Sequence, residues 1–297
     1  MTASATAQAS PHAIAVSPLA RREVRHYALH PLFWVGTILL AAQVLVSTVS
    51  GEGGMSSTLT MIAPAALLGL LGLIIMTSLA KRSDRAAAAA GAPVVPERVR
   101  TRALATAILV PGTVALVWFA WAVIYFFKDP PDSFASPHGP VSTAYVLAVI
   151  FALGVVPAAG GPLLGLLLSR WLPQRGMAAL ALVLVVVVSI LMQGNFESTW
   201  SWKAFWPWTY WYGPLGWSSG TGTWVATPGS PVAWIGYLAA LCALGLQLAI
   251  VHDPESDRAR LKRGIAITLV VAAVALALTL TLGLPDAYVN PNPGPEL

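Results

Sequence analysis

Charge is what this sequence has least of. Asp, Glu, Lys and Arg make up 10% of its 297 residues, against about 25% in soluble domains. A surface facing water is not built from so few ionic groups, whereas a surface facing lipid is. Cysteine is nearly absent as well. Cys242 stands alone, which excludes an internal disulfide framework, and its apolar neighbours mark it as a small packed side chain. No GxxxxGK[ST] segment occurs, so the chain has no phosphate-cradling loop of its own. No HExxH and no Cys/His ligand spacing occurs, so neither a metal site nor a cofactor is expected. Glu52, His138 and Glu197 are loop residues without evident acid–base partners. No catalytic residue, and no enzyme, is expected.

What is present is apolar sequence. The residues AVILMFWYC form 57% of the chain, and no long polar block exists to build a separate soluble core. Residues 1–16 are uncharged and rich in Ala, Ser and Thr, which reads as a disordered tail and not as a secretory signal, for want of a basic leader before an apolar run. Seven apolar stretches follow, at about 32–50, 58–80, 103–127, 142–168, 177–194, 233–251 and 264–284, none holding Asp, Glu, Lys or Arg. Each suffices for a helix across about 30 Å of hydrocarbon. Water is absent there, so the backbone must satisfy itself and only helices fit. The expected fold is an all-α polytopic membrane bundle of about seven spans.

Orientation follows from the basic residues. With the N-terminus in the cytoplasm, the inner segments carry fifteen Lys and Arg, and the outer ones only Lys128 and Lys203. That is a strong positive-inside asymmetry. It leaves the Pro- and Asn-rich tail 285–297 outside. The short basic clusters between apolar runs have the pattern of membrane topology, so the net charge of +5 does not imply nucleic acid.

Three polar segments have shape. Residues 17–31, SPLARREVRHYALHP, fit a short helix at the cytoplasmic headgroup layer, with Ser17 as its cap, Pro18 in its first turn and Pro31 at its end. Arg21, Arg22 and Arg25 would meet anionic lipid. His26 and His30 share a face but lack a third ligand. Residues 81–102, KRSDRAAAAAGAPVVPERVRTR, offer two turns of helix capped by Ser83 or Asp84 and closed by Gly91 and Pro93. Residues 195–232 hold Trp200, Trp202, Trp206, Trp208, Trp211, Trp217 and Trp224. Tryptophan favours the membrane interface, and Pro207 and Pro214 make short interfacial or re-entrant helices the expectation there. Within the spans, Gly161 and Gly165 form GxxxG, extended by Ser169, a row that lets helices pack closely. Pro157, Pro162 and the pair Pro111–Gly112 would bend their helices.

No buried charge supplies an engine of the kind used by ion-driven transporters. If the chain transports, its energy comes from a separate ATPase. Over roughly residues 18–251 it resembles a permease subunit of the type-2 ABC exporter family, in the form common in high-GC actinobacteria. The segments carrying the likeness are ARREVRHYALHPLF before the first span, LAKRSDRAAAAAGAPVVPERVRTRALA between the second and third, the aromatic outer connection, and GGPLLGLLLSRWLP. The resemblance implies a coupling helix at Asp84, Arg85, Ala86, Ala87, Ala88, Ala89, Ala90 and Gly91 that contacts a nucleotide-binding ATPase subunit. It also implies a second permease subunit, identical or related, and outward movement of a hydrophobic or amphipathic substrate across the cell membrane. The family core has six spans, one fewer than counted here, and its coupling loop often carries an acidic residue, Gly and a polar residue where this chain has alanines. A membrane scaffold or sensor without transport, and a membrane enzyme acting on lipid-linked substrates, are the alternatives.

Overall fold

The computed structural model describes residues 11–50, 62–89, 95–128, 135–136, 139–140, 142–194, 204–208, 216–218, 223–226, 229–283 and 288–290. Ala90, Gly91, Glu52, His138 and Glu197 lie outside them. The described residues are dominated by nine helices: α1 (Pro11–Ala28), α2 (Pro31–Ser50), α3 (Ile62–Ala89), α4 (Glu97–Thr106), α5 (Leu109–Lys128), α6 (Thr143–Trp171), α7 (Met177–Gly194), α8 (Pro231–Val251) and α9 (Arg258–Thr281). Six stretches are long and apolar enough to cross a membrane: α2, α3, the α4–α5 pair, α6, α8 and α9; α7 is a shorter apolar helix. The chain is a multi-pass helical bundle of membrane type.

The termini of these helices are written in the sequence. Ser142 caps α6 by accepting from the Tyr145 amide at 3.2 Å. Ser230 caps α8 ahead of Pro231, which sits in the first turn where its missing N–H costs nothing. Asp257 caps α9 through the Arg260 amide. Two expected boundaries move. Helix α1 starts at Pro11, so Pro18 lies inside it, and part of the expected tail is helical. The expected separate helix at Asp84 is instead the last two turns of α3, which runs on from the second span without a break. Ser83 and Asp84 therefore cap nothing. Polyalanine has no reason to interrupt a helix already propagating into it, because extension adds one hydrogen bond per residue whereas a new start must nucleate.

Helices α3 and α6 form the centre, and the others are peripheral with broad apolar faces left open to lipid. Helix α2 buries only one stripe, Phe33, Gly36, Leu40 and Ser47. Helix α9 buries only Ala272 and Thr279. The central crossing has almost no side chain in it. A Cβ on Gly161 would collide with the Gly69 carbonyl, and one on Gly165 with the Leu73 carbonyl. Reciprocally, a Cβ on Gly69 would sit 2.7 Å from the Pro157 oxygen. Thr77 donates to Gly165 O at 3.2 Å as well as to its own helix. The Gly161–Gly165 row thus packs within the chain, against α3. At this crossing α3 takes one π-helical turn, Ala65–Leu70, a local widening that often marks functional sites.

Two ends are defined. At one, the basic segments of α1, the end of α3, the start of α4 and the end of α6 meet the acidic 252–257 turn. At the other, short strands β1 (Ala135–Ser136) and β2 (Gly139–Pro140) pair. There too, β4 (Thr223–Ala226) pairs with both β3 (Gly216–Ser218) and β5 (Tyr288–Asn290). The C-terminal segment thereby joins the tryptophan-rich connection. Because α6 and α8 both finish at the basic end, the chain must cross back between Trp171 and Pro231, and α7 is the described helix that does so. Its 18 residues rise about 27 Å at 1.5 Å each.

A test of the crossing follows. Gly161→Ala should lower the thermal midpoint in detergent by roughly 3–10 °C, the range expected for overpacking. Gly112→Ala, where an added Cβ meets nothing within 4 Å, should leave it unchanged or slightly higher.

Candidate functional site: an ionic latch at the basic end

The charges the spans avoid are gathered into one network. Arg170, at the last turn of α6, is 4% exposed. Its Nη1 donates to Asp84 Oδ1 at 2.8 Å and to Oδ2 at 3.0 Å. Its Nε donates to Thr101 Oγ1 at 3.0 Å and lies 3.7 Å from Glu97 Oε1. Arg100 Nη1 reaches the same Asp84 Oδ1 at 2.7 Å. Glu97 Oε1 also meets His252 Nδ1 at 2.7 Å, and the Trp171 ring stands edge-on to that imidazole. The Arg98 amide donates to Asp253 Oδ2 at 2.8 Å, and Arg98 Nη1 donates to the Glu255 carbonyl. Four segments far apart in sequence are thus tied through two carboxylates, Asp84 and Glu97.

Burial explains why Arg170 needs these partners. A guanidinium removed from water is tolerated when it is paired and hydrogen-bonded, and its planar fork suits a carboxylate. Asp84 faces the bundle with 39% of its side chain exposed, while Arg85, Ala86, Ala88 and Ala89 present an open face. Of the residues expected to form a coupling helix, Asp84 is thus engaged within the chain and these four are free to meet another surface. Arg170 and Thr101 are the members the sequence reading missed. The signal was there: Arg170 continues the i+4 row Pro162–Leu166, all buried, beside the glycine row.

Helix α1 is wedged against the same elements. Tyr27 is fully buried, and its hydroxyl would lie 2.7 Å from a Cβ on Gly72. Burial pushes its phenol well above the usual tyrosine range. Glu23 is 7% exposed and pairs loosely with Arg82 at 3.8 Å. Burial raises its carboxyl more than Arg82 and Arg22 lower it. Between α1, α3 and α4 lies a cleft of about 270 Å³ lined by Leu19, Arg22, Glu23, Arg82, Ala87 and Arg100. His26 accepts from Arg22 Nε at 3.3 Å. His30 Nδ1 accepts from the Leu32 amide at 3.3 Å, capping α2. Both imidazoles are held below their usual value of 6.5, His30 by burial, His26 by burial and then by Arg82, Arg22 and Arg25. Among the described residues no three His, Cys, Asp or Glu converge as metal ligands.

At the opposite end the tryptophan-rich connection dips into the bundle. The Ala204 and Phe205 carbonyls accept from Trp234 Nε1 and Tyr237 Oη, each at 3.0 Å. Trp206 Nε1 donates to Ser189 on α7 at 3.0 Å. Buried backbone carbonyls such as these are tolerated when their polar groups are answered this way.

No protein family matches the chain, and no curated protein or solved structure shows significant similarity to it.

Two measurements check the site. Arg170→Ala removes one of the two cations on Asp84 and leaves Thr101 Oγ1 without its donor, and should cost about 1–3 kcal/mol, discounted for the exposure of Asp84 and for the Arg100 and His252 contacts that remain. Arg170→Lys should recover only part of that, because a point charge cannot bridge both carboxylates and Thr101. Thermal unfolding reads both. The lowered histidines make folding favour neutral rings, so their contribution is present above pH 6.5 and lost as pH falls below it. The double variant His26→Asn/His30→Asn keeps an acceptor at the α2 start. It should lose less stability than the parent between pH 7.5 and 5.5.

Proposed function

We propose that this protein is the membrane-spanning subunit of an ABC-type exporter of the cell membrane, driven by a separate ATPase in the cytoplasm. The observation that carries the reading is the latch. The apolar spans contain no Asp, Glu, Lys or Arg, and the ionic groups are concentrated where one span helix, α3, projects past the bundle. The exposed face of that projection, Arg85 to Ala89, is the surface the ATPase would press. Asp84, on its inward face, would pass the displacement to α6 through Arg170 and to α4 through Arg100. Because α6 crosses α3 on bare backbone, a tilt imposed at the latch is transmitted along both central helices without side chains to absorb it. A second permease subunit completes the pathway, and the cargo is hydrophobic or amphipathic, in keeping with an interior without charge.

The test begins with purification from the native host in mild detergent. An ATPase carrying a phosphate-binding loop should co-purify, and its absence sinks the proposal. In inverted vesicles, Asp84→Asn should reduce ATP-dependent transport about five- to tenfold, the size of a coupling energy near 1–1.5 kcal/mol, while ATP hydrolysis stays within about twofold. Equal loss of both would mean that Asp84 supports the fold and not the coupling.

A further inference from the structure

Arg22 of α1 and Arg82 of α3 come together at the cleft of about 270 Å³ between α1, α3 and α4. Both lie within electrostatic reach of Glu23 and of His26, so two like charges from different helices share one small space. Arg22 is exposed, and its hydrogen bond among the described residues runs from Nε to the His26 ring. Arg82 has 46% of its side chain exposed and one carboxylate near it, Glu23 at 3.8 Å, beyond hydrogen-bond length. The Glu23 oxygen in that pairing, Oε2, is buried away from solvent, so it floors the cleft without reaching an occupant. Arg100 closes the α4 side, with its Nη1 already given to Asp84. Arg22 and Arg82 therefore present cationic donors that no carboxylate among the described residues holds at hydrogen-bond distance. Like charges gathered this way repel, and a bound anion turns the repulsion into attraction. The remainder of the wall is apolar, with Leu19, Ala87 and Val95 beside the two guanidiniums.

We propose that this cleft is a binding site for the phosphate group of an anionic membrane lipid, held by Arg22 and Arg82, with the glycerol backbone against Leu19, Ala87 and Val95. Two planar forks from different helices suit the several oxygens of a phosphate. The cleft borders the hydrocarbon, because Lys81 and Arg82 directly follow the apolar stretch of α3 and Arg100 stands just before that of α5. Basic recesses between helices at that depth take lipid headgroups. An apolar wall beside the cations fits an amphiphile, whereas an inorganic anion would leave that wall wet. A headgroup with its own ammonium is disfavoured, since its cation would face two arginines. Arg21 and Arg25 are exposed on the same helix but do not line the cleft. They attract anionic lipid as a diffuse, salt-screened field, whereas the cleft holds one molecule in one place. The occupant ties α1 to α3 through a shared anion, beside the latch.

The experiment uses the full chain in mild detergent micelles, titrated with phosphatidylglycerol or with phosphatidylcholine, and native mass spectrometry counts the lipid retained per chain. Phosphatidylglycerol should be retained saturably at one molecule per chain, and phosphatidylcholine should not. Arg22→Gln/Arg82→Gln should weaken retention about five- to tenfold, as expected for two partly exposed charge-assisted contacts. Arg21→Gln/Arg25→Gln removes as much charge from the same helix outside the cleft, and should change retention by less than about twofold. Arg82→Lys keeps the charge and loses the fork, and should weaken retention about two- to threefold, which keeps the site testable if the double Gln variant misfolds. Equal retention of the two lipids, or equal effects of the two Gln pairs, reduces the binding to a surface field and overturns the proposal. Competition by glycerol 3-phosphate at the lipid's own concentration assigns the site to a soluble phosphate ester and overturns it too. Retention is read without an ATPase, so a missing ATPase would sink the exporter reading and leave this site standing.

Discussion

The contact between α3 and α6 at Gly69, Gly161 and Gly165 is the constraint on which the remainder of the structure rests. Association of helices in lipid gains nothing from the hydrophobic effect, because leaving one apolar surface for another is nearly neutral. What remains is close van der Waals contact and hydrogen bonding. Glycine permits both by bringing backbones together, and Thr77 adds a hydrogen bond across the gap. Peripheral helices can then be loosely held, and α2, α7 and α9 leave most of their apolar surface to lipid.

The same crossing places the ionic latch. Once α3 and α6 meet at their glycines, their ends at the basic side stand close enough for Asp84 to receive Arg170. Continuous helix on both sides makes the latch and the crossing parts of one lever. Helix α1 enters this arrangement through Tyr27, which fills the gap beside Gly72. A basic amphipathic segment is thereby fastened to the central pair.

The correction at residues 84–89 shows how local signals mislead. Ser83, Asp84 and five alanines read as the start of a new helix, and they satisfy the rules for one. Those rules weigh a start against coil, however, and here the competing state was an existing helix. Arg170 illustrates the converse. It counted as one more basic marker of topology, because in sequence it stands 86 residues from its carboxylate partner.

The apolar spans, the basic end and the glycine row were determined by sequence alone, because each depends on local composition against a fixed solvent: about 30 Å of hydrocarbon between two polar layers. Tertiary structure alone decided which glycines oppose which, that α3 runs on through Asp84, and which arginine is buried. Those depend on distances between segments that the hydrophobic pattern does not encode, since every face of a membrane helix is apolar and the pattern is silent on its neighbours.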